Sequence, residues 1–294
     1  MPGENKDKDG TAFLEIGHIC NNNCLFCYEA DADERRPYIE KSIDDIRKEM
    51  EKAFLEYNMV SFIGAEPTLR SDFVEVLKLA KEIGFKRVSF STNGRQFKDP
   101  EFVKAVVESG VDSVAVSLLG GTAEIHDAET RAPGSFDELV AGLKNILPYQ
   151  GDNLTIFINF TINQSNYKNV GAVIDLLSDL GVKYSSFRNT VPLSQRTFGN
   201  DKLIAKMSET GKYACDILEE KGLIDPDPDS VRVYFHDFLP CSLPSEVRSR
   251  IIYNKISGEN RYIRIPLCEG CAYERCPGII RAYADIYGTE EFKF

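Results

Sequence analysis

The alternation of short β-rich runs with helical patterns most limits what this chain can fold into. Runs rich in β-branched and aromatic residues predict strands at Ala12–Ile19, Met59–Ile63, Arg87–Thr92, Ser113–Leu118, Leu154–Ile162 and Tyr184–Thr190. Helical patterns follow these runs at Ile43–Tyr57, Asp72–Ile83, Pro100–Ser109, Phe136–Leu147, Tyr167–Leu180 and Lys202–Lys221. Six β-α units in a row require a parallel sheet with right-handed crossovers, as either a doubly wound sheet or an incomplete barrel.

Length and composition narrow the class of protein. The 294 residues suffice for one large α/β domain and a smaller appendage. No apolar run is long enough to span a bilayer, and Met1–Gly10 is polar and lacks the apolar core of a signal peptide. The net charge of −11 argues against a dedicated nucleic-acid-binding protein, which carries a basic face. We therefore expect a cytoplasmic protein with no nucleic-acid or membrane partner and no leader-recognition domain before the first strand.

The cysteines fall into two groups and one isolated residue. Three lie near the N-terminus, four lie between Cys241 and Cys276, and Cys215 stands alone in a helical pattern. A reducing compartment disfavours disulfides, so clustered thiolates indicate ligation of a soft metal. Cys215 is predicted to be a buried small hydrophobic residue.

The first cysteine group follows the first predicted strand. Cys20, Cys24 and Cys27 form a C-x3-C-x2-C run. Three thiolates on one loop can hold three irons of a cubane cluster and leave the fourth iron open. A zinc site is the alternative, with His18 as a convenient fourth ligand. The other motifs also lie at the carboxyl ends of predicted strands, where α/β folds place their chemistry.

These three cysteines together with Tyr28 resemble the signature of the radical S-adenosylmethionine (SAM) superfamily. The resemblance implies a partial (β/α)6 TIM barrel with a [4Fe-4S] cluster whose open iron binds SAM. The resemblance extends over about residues 12 to 200. Within the superfamily, it is to the branch that contains the molybdenum-cofactor, nitrogenase-cofactor and pyrroloquinoline-quinone maturases. Such an enzyme splits SAM with one electron, supplied by a donor such as flavodoxin or ferredoxin, and abstracts hydrogen from a substrate.

The same resemblance assigns residues to SAM. The segment Gly64-Ala65-Glu66-Pro67-Thr68 is similar to the family's Gly-Gly-Glu-Pro-Thr segment, with Ala65 in place of a glycine. Glu66 has an alternative role as a carboxylate at a helix N-terminus. The implied SAM contacts are Tyr28, Gly64, Ala65, Glu66, Thr92, Ser117 and Arg131. No catalytic acid or base is identified, because a loop histidine such as His126 is more often structural.

The second cysteine group predicts another metal site. Cys268, Cys271 and Cys276 lie on one short segment, and Cys241 precedes a predicted hairpin around Ser257–Asn260. The group resembles the shortened auxiliary-cluster (twitch or SPASM-like) modules of the superfamily, which implies a second [4Fe-4S] cluster. A zinc knuckle is the alternative. We therefore expect a barrel domain over 11–222 and a Cys-rich module over 223–294.

Two predicted strands carry polar residues where a buried strand would be apolar. Thr155, Asn159, Thr161 and Asn163 alternate along the fifth strand, and Ser186, Arg188 and Thr190 along the sixth. This face is expected to line a wet cavity, where Arg188 would meet an anion from SAM or from the substrate. The alternative places Arg188 outward in solvent.

The sequence says less about the substrate than about the class of enzyme. A Cys-rich C-terminal extension favours modification of a ribosomally made peptide. The alternatives are a small-molecule or cofactor-biosynthesis enzyme and a metal-binding regulatory protein without turnover.

Overall fold

The computed structural model describes residues 10–28, 41–194, 196–198, 200, 202–252 and 261–293. The strands within these ranges are β1 (Thr11–Glu15), β2 (Met59–Ile63), β3 (Arg87–Thr92), β4 (Ser113–Leu118), β5 (Thr155–Ile162), β6 (Tyr184–Asn189), β7 (Arg232–His236), β8 (Ile251–Ile252), β9 (Tyr262–Ile263) and β10 (Ile279–Ile280). The α-helices are α1 (Ile43–Phe54), α2 (Phe73–Ile83), α3 (Pro100–Glu108), α4 (Ala123–Thr130), α5 (Ser135–Ile146), α6 (Val170–Asp179), α7 (Met207–Glu220) and α8 (Arg281–Tyr287).

One sheet contains β1 to β8 in chain order. The pairs from β1 to β4 and from β6 to β8 are parallel, whereas β9 and β10 form a separate antiparallel pair. A parallel sheet in chain order, with helices between most strands, confirms the predicted α/β class. β7 and β8 extend the sheet beyond the six strands of the β-α units.

Most element bounds agree with the sequence pattern, and the differences have local causes. β2, β3 and β4 begin and end as predicted. β1 ends at Glu15 rather than at Ile19, because the chain leaves the strand to form the cysteine loop. α4 was not predicted, since few of its residues are apolar; Thr122 caps it by accepting from the N–H of Ile125. The hairpin predicted around Ser257–Asn260 lies outside the described residues.

The described chain divides into two compact units. The first holds residues 10–23, 41–117 and 134–157, and the second holds 24–28, 118–133 and the described residues from 158 onward. In the first unit the alternate residues of β3 and β4 are buried. In the second unit Phe187 packs edge-on against Phe160 (ring centroids 5.4 Å apart) and Phe235 (6.2 Å). Each unit therefore has its own apolar core.

None of the helices in the described part of the chain has the length and apolar character needed to cross a membrane.

Replacing Phe187 by alanine tests the core of the second unit. Phe187 is completely buried, so Phe187→Ala should lower the free energy of unfolding by about 3–5 kcal/mol through lost burial and the cavity left behind. Phe13→Ala is the control, because the Phe13 side chain is 66% exposed and its loss should change stability by about 0.5 kcal/mol or less. Urea unfolding followed by circular dichroism measures both, and equal effects would contradict this description of the core.

Candidate active site

The side chain of Glu66 joins the carboxyl ends of β2 and β3 in the first unit. Its Oε1 accepts from the Oγ1 of Thr68 (2.5 Å), the N–H of Thr68 (3.2 Å) and the Oγ1 of Thr92 (2.6 Å). Its Oε2 accepts from the N–H of Asn93 at 2.6 Å. Burial raises the pKa of Glu66, and these hydrogen bonds oppose the rise. The alternative role of Glu66 as a carboxylate at a helix N-terminus is realised, since it caps the 3-10 turn Pro67–Leu69.

The backbone beside Glu66 is tightly packed and partly left-handed. Gly64 has φ +98°, and a Cβ there would lie 2.8 Å from the carbonyl oxygen of Gly17. Ala65 also has a positive φ, 43°, which is uncommon for a residue with a side chain. This crowding places the main chain of the Gly64–Glu66 segment directly against the start of the cysteine loop, where the N–H of Glu66 donates to the carbonyl of Ile19 (3.0 Å).

The first part of the cysteine loop is held by two side chains that follow β3. Arg95 donates through Nη1 to the carbonyl of Asn21 and to Oδ1 of Asn22 (2.8 Å). Asn93 donates through Nδ2 to Oδ1 of Asn21 at 2.6 Å. The N–H of Asn22 points at the sulfur of Cys20 from 3.4 Å. Sequence reasoning missed Arg95, because its partners in the loop lie 74 and 73 residues away in the chain.

The second part of the loop belongs to the second unit and is held by different residues. Arg196 donates through Nη1 to the carbonyl of Cys24 (2.6 Å), and the N–H of Leu25 donates to the carbonyl of Glu129 (3.0 Å). A turn brings the N–H of Cys27 to the carbonyl of Cys24 (3.3 Å). Cys20, Cys24 and Cys27 are all half-buried, and none of them forms a disulfide.

Glu129 is a buried carboxylate that sequence reasoning did not single out. Its side chain accepts from the Nδ2 of Asn163 (2.6 Å) and from the Oγ of Ser165. Burial raises its pKa, and both hydrogen bonds oppose the rise. Helix α4 thus fixes the carbonyl that receives the N–H of Leu25. His126 on the same helix accepts the N–H of Leu119 through Nδ1 (3.2 Å) and is buried, which matches the structural role expected of it.

The other residues assigned to SAM differ in exposure. Thr92 is buried and also accepts the N–H of Gly94 (3.0 Å), whereas Ser117 is half-buried at the end of β4. Tyr28 is 61% exposed. Arg131 is exposed and left-handed, with φ 51°, at the C-terminus of α4. SAM contact by these residues stays a prediction.

The four C-terminal cysteines line one cavity within the second unit. Cys241, Cys268, Cys271 and Cys276 share it with apolar residues, namely Leu239, Pro240, Ile265, Leu267, Gly278 and Ile279. Burial, together with the thiols of Cys276, Cys268 and Cys271, raises the pKa of Cys241 to about 12. Among the described residues, no three Cys, His, Asp or Glu side chains are already drawn together as metal ligands are. The structure therefore gathers the four sulfurs around a common apolar space.

Gly278 supports this cavity through its backbone. Burial raises the pKa of Cys276, while a hydrogen bond from the N–H of Gly278 lowers it. Gly278 has φ +99°, and a Cβ there would lie 2.5 Å from the carbonyl oxygen of Ile263. Only glycine fits this close approach, and it brings a main-chain donor to a sulfur atom.

Comparison with known proteins identifies the relatives of the chain. Residues 14–187 match the model of the radical SAM superfamily. A probable GTP 3',8-cyclase of Saccharolobus islandicus is 30% identical over 169 residues, which cover 58% of this chain and 53% of that protein. An Fe-coproporphyrin III synthase of Methanosarcina barkeri is 32% identical over 223 residues, which cover 74% of this chain and 52% of that protein. The chain spans about half the length of the curated relatives it matches.

A solved structure supports the fold. SuiB of Streptococcus suis, in a crystal structure with its precursor peptide SuiA, aligns with a TM-score of 0.60 and 16% sequence identity, covering 76% of this chain and 48% of SuiB. At this identity the likeness concerns the fold alone, and it confirms the predicted partial barrel. The family resemblance that the cysteine motif predicts is confirmed as well, together with its branch.

Replacing Glu66 by glutamine tests the buried carboxylate. The amide nitrogen of glutamine cannot accept the hydrogen bonds that Glu66 receives, so at least one buried donor loses its partner. Glu66→Gln should lower the free energy of unfolding by about 1–3 kcal/mol. Glu75→Gln is the matched control, because Glu75 is exposed on α2. Urea unfolding compares the two variants, and a Glu66→Gln protein as stable as the control would refute the role given to this carboxylate.

Proposed function

Since this chain belongs to the radical SAM superfamily, we propose that it cleaves SAM reductively at a [4Fe-4S] cluster held by Cys20, Cys24 and Cys27. One electron, delivered by a protein such as flavodoxin or ferredoxin, breaks the C5′–S bond of SAM and releases methionine. The 5′-deoxyadenosyl radical takes a hydrogen atom from the substrate and leaves as 5′-deoxyadenosine. The cluster supplies this electron chemistry, whereas the protein binds, orients and shields the reactants.

The donor set of the cysteine loop supports the proposal. Thiolates are soft ligands that suit iron–sulfur clusters, and three of them leave one iron for SAM. Arg95 and Arg196 hold the main chain of the loop, and Arg95 is itself held by an ion pair with Glu138 (2.6 Å). The N–H of Asn22 supplies a donor to the sulfur of Cys20, as is common around cluster thiolates. A purely structural zinc site would need a fourth protein ligand.

The residues proposed to bind SAM are Tyr28, Gly64, Ala65, Glu66, Thr92, Ser117 and Arg131. The left-handed backbone at Gly64 and Ala65 suits recognition of a ligand by main-chain groups, and it follows β2 directly. The hydrogen bond from Oγ1 of Thr92 to the Glu66 carboxylate helps to fix that backbone. Arg131 is exposed and forms no ion pair within the described ranges, so it can reach a carboxylate.

For the substrate, we propose a ribosomally made peptide. The support is the C-terminal cavity with four cysteines, together with a fold shared with SuiB, which was crystallised with its precursor peptide. The second candidate is a small-molecule or cofactor-biosynthesis activity, which is favoured by the activities that give two relatives their names, the GTP 3',8-cyclase and the Fe-coproporphyrin III synthase. A cytoplasmic location suits both, because it keeps the cysteines reduced.

Removing the three thiols of the loop tests the proposed class. Anaerobically reconstituted protein should release 5′-deoxyadenosine from SAM when dithionite is added. The triple variant Cys20→Ala, Cys24→Ala, Cys27→Ala should lose this product to the background rate, because it cannot hold the open iron. Liquid chromatography with mass detection measures the product. Undiminished release by the variant would refute the assignment to these cysteines, and absence of release by the wild-type protein would favour a regulatory metal-binding protein without turnover.

We also propose that residues 223–294 form a module in which Cys241, Cys268, Cys271 and Cys276 hold a second [4Fe-4S] cluster. The cavity lined by these residues offers four thiols in an apolar setting, and the N–H of Gly278 donates to one of them. Four thiolates occupy every iron of a cubane, which suits electron transfer or a structural role.

Metal analysis of the triple variant decides between a cluster and zinc at this module. Because the variant lacks the ligands of the first cluster, about four irons per chain should remain. Adding Cys268→Ala and Cys271→Ala should remove them. One zinc and no iron in the triple variant would refute the second cluster and establish a zinc knuckle.

A further inference from the structure

The inner face of β5, β6 and β7 in the second unit is polar. Alternate residues of β5 and β6 are buried against the helices, among them Phe160 and Phe187. The other set carries Asn159 and Thr161 on β5, which are half-buried, and Ser186 and Arg188 on β6. The interior of a closed barrel is normally filled by branched apolar side chains, so a polar interior indicates a bound ligand.

Two buried hydroxyl groups on this face have no hydrogen-bond partner among the described residues. The Ser186 side chain is 1% exposed and Thr190 is 5% exposed, and neither hydroxyl finds a donor or acceptor. The N–H of Thr190 donates to the carbonyl of Ile162, so the strand alternation continues past the end of β6 and places Thr190 on the face of Ser186. An unsatisfied buried hydroxyl is costly, and such groups are rare unless they serve a ligand or an ordered water.

Arg188 lies between the two hydroxyls and is only partly used. Its Nη2 donates to Oδ2 of Asp237 (3.1 Å), and the two side chains are 33% and 12% exposed. No other hydrogen bond from the described residues engages its guanidinium. Most of its N–H groups therefore remain available. Arg188 thus pairs with the carboxylate of Asp237 and keeps N–H donors for a second anion.

The charges around Arg188 select the kind of anion. Asp237 already neutralises one positive charge, and it is fixed beside Arg188 in a left-handed conformation with φ 60°. Burial and the charge of Arg188 lower the pKa of His236, its neighbour in the sheet, to about 4, so His236 adds no charge at neutral pH. A dianionic phosphate would meet repulsion from Asp237, whereas a carboxylate carries a single charge and fits the planar fork of arginine.

We propose that Ser186, Arg188 and Thr190 bind a carboxylate group of the substrate. Arg188 donates through the N–H groups that Asp237 does not occupy, and the two hydroxyls complete the contacts from either side along the strand. This site deepens the proposed function, on which it rests, because it gives the chemistry of the substrate: a side-chain or terminal carboxylate of a peptide, or the carboxylate of a small molecule.

N-acetylglycine, which carries a single carboxylate, is a suitable probe for this site. Reconstituted protein saturated with SAM is titrated with N-acetylglycine at constant ionic strength, and the melting temperature is followed. A saturable rise should appear with N-acetylglycine and be smaller with inorganic phosphate. Arg188→Lys keeps the pair with Asp237 but loses the fork, so the N-acetylglycine midpoint should rise about tenfold. Lys183→Gln is the control and should bind N-acetylglycine normally, because it removes only an exposed pair with Asp229.

Ser186→Ala separates a ligand-binding hydroxyl from a structural one. Without N-acetylglycine, this variant should melt at the same or a higher temperature than the wild type, since it removes a buried unsatisfied group. Its N-acetylglycine midpoint should nevertheless rise by about fivefold. A variant that melts lower and binds N-acetylglycine normally would overturn the proposal, because the hydroxyl would then serve an internal water.

The other possible results of these titrations also support or overturn the proposal. Absence of a saturable rise, or an equal midpoint in Arg188→Lys, would overturn the proposal. If N-acetylglycine weakens SAM binding in a competition titration, the carboxylate at Arg188 is that of SAM and not of the substrate. Release of 5′-deoxyadenosine by the same wild-type preparation tests the proposed function separately, so failure of one is distinguishable from failure of the other.

Discussion

The hydrogen bonds of the buried Glu66 carboxylate are the constraint on which the organisation of the first unit depends. They tie the end of β2 to the end of β3 and fix Asn93, whose amide in turn holds Asn21 in the cysteine loop. Burial raises the pKa of this carboxyl group, and the hydrogen bonds that it accepts oppose the rise. Loss of one donor would leave the buried group with fewer partners.

The cysteine loop shows how a short segment without regular structure acquires a definite shape. Within it, the N–H of Cys27 donates to the carbonyl of Cys24. Arginines from distant parts of the chain bind its other carbonyls or the same ones from outside, Arg95 in the first unit and Arg196 in the second. Guanidinium groups suit this task, because they present several donors in a rigid plane and remain charged at any accessible pH. The bonds from both arginines end on oxygen atoms, so they leave the sulfur atoms untouched.

Much of this arrangement could be predicted from the sequence, because periodicity and motif spacing are local properties. The alternation of β2, β3 and β4 with their helices and the three-cysteine motif are such signals. Arg95, Arg196 and Glu129 could not be predicted, since their partners lie far away in the chain or are main-chain carbonyls that carry no residue signal. Arg188 illustrates a middle case. Strand alternation predicted a polar face there, but only the structure reveals Asp237 beside it and two hydroxyls without partners.

The isolated Cys215 has a consequence for the chemistry of the other thiols. It is 5% exposed on α7, and burial raises its pKa to about 12, so almost none of it is thiolate at neutral pH. Alkylating reagents and oxidants attack the thiolate, and a thiol of this kind is inert toward both. The other seven of the eight cysteines are the proposed iron ligands, three for the first cluster and four for the second. In a preparation that holds the proposed clusters, damage by air should fall on those seven sulfurs, and the peptide carrying Cys215 should survive as an internal standard against which the oxidation of the others is counted.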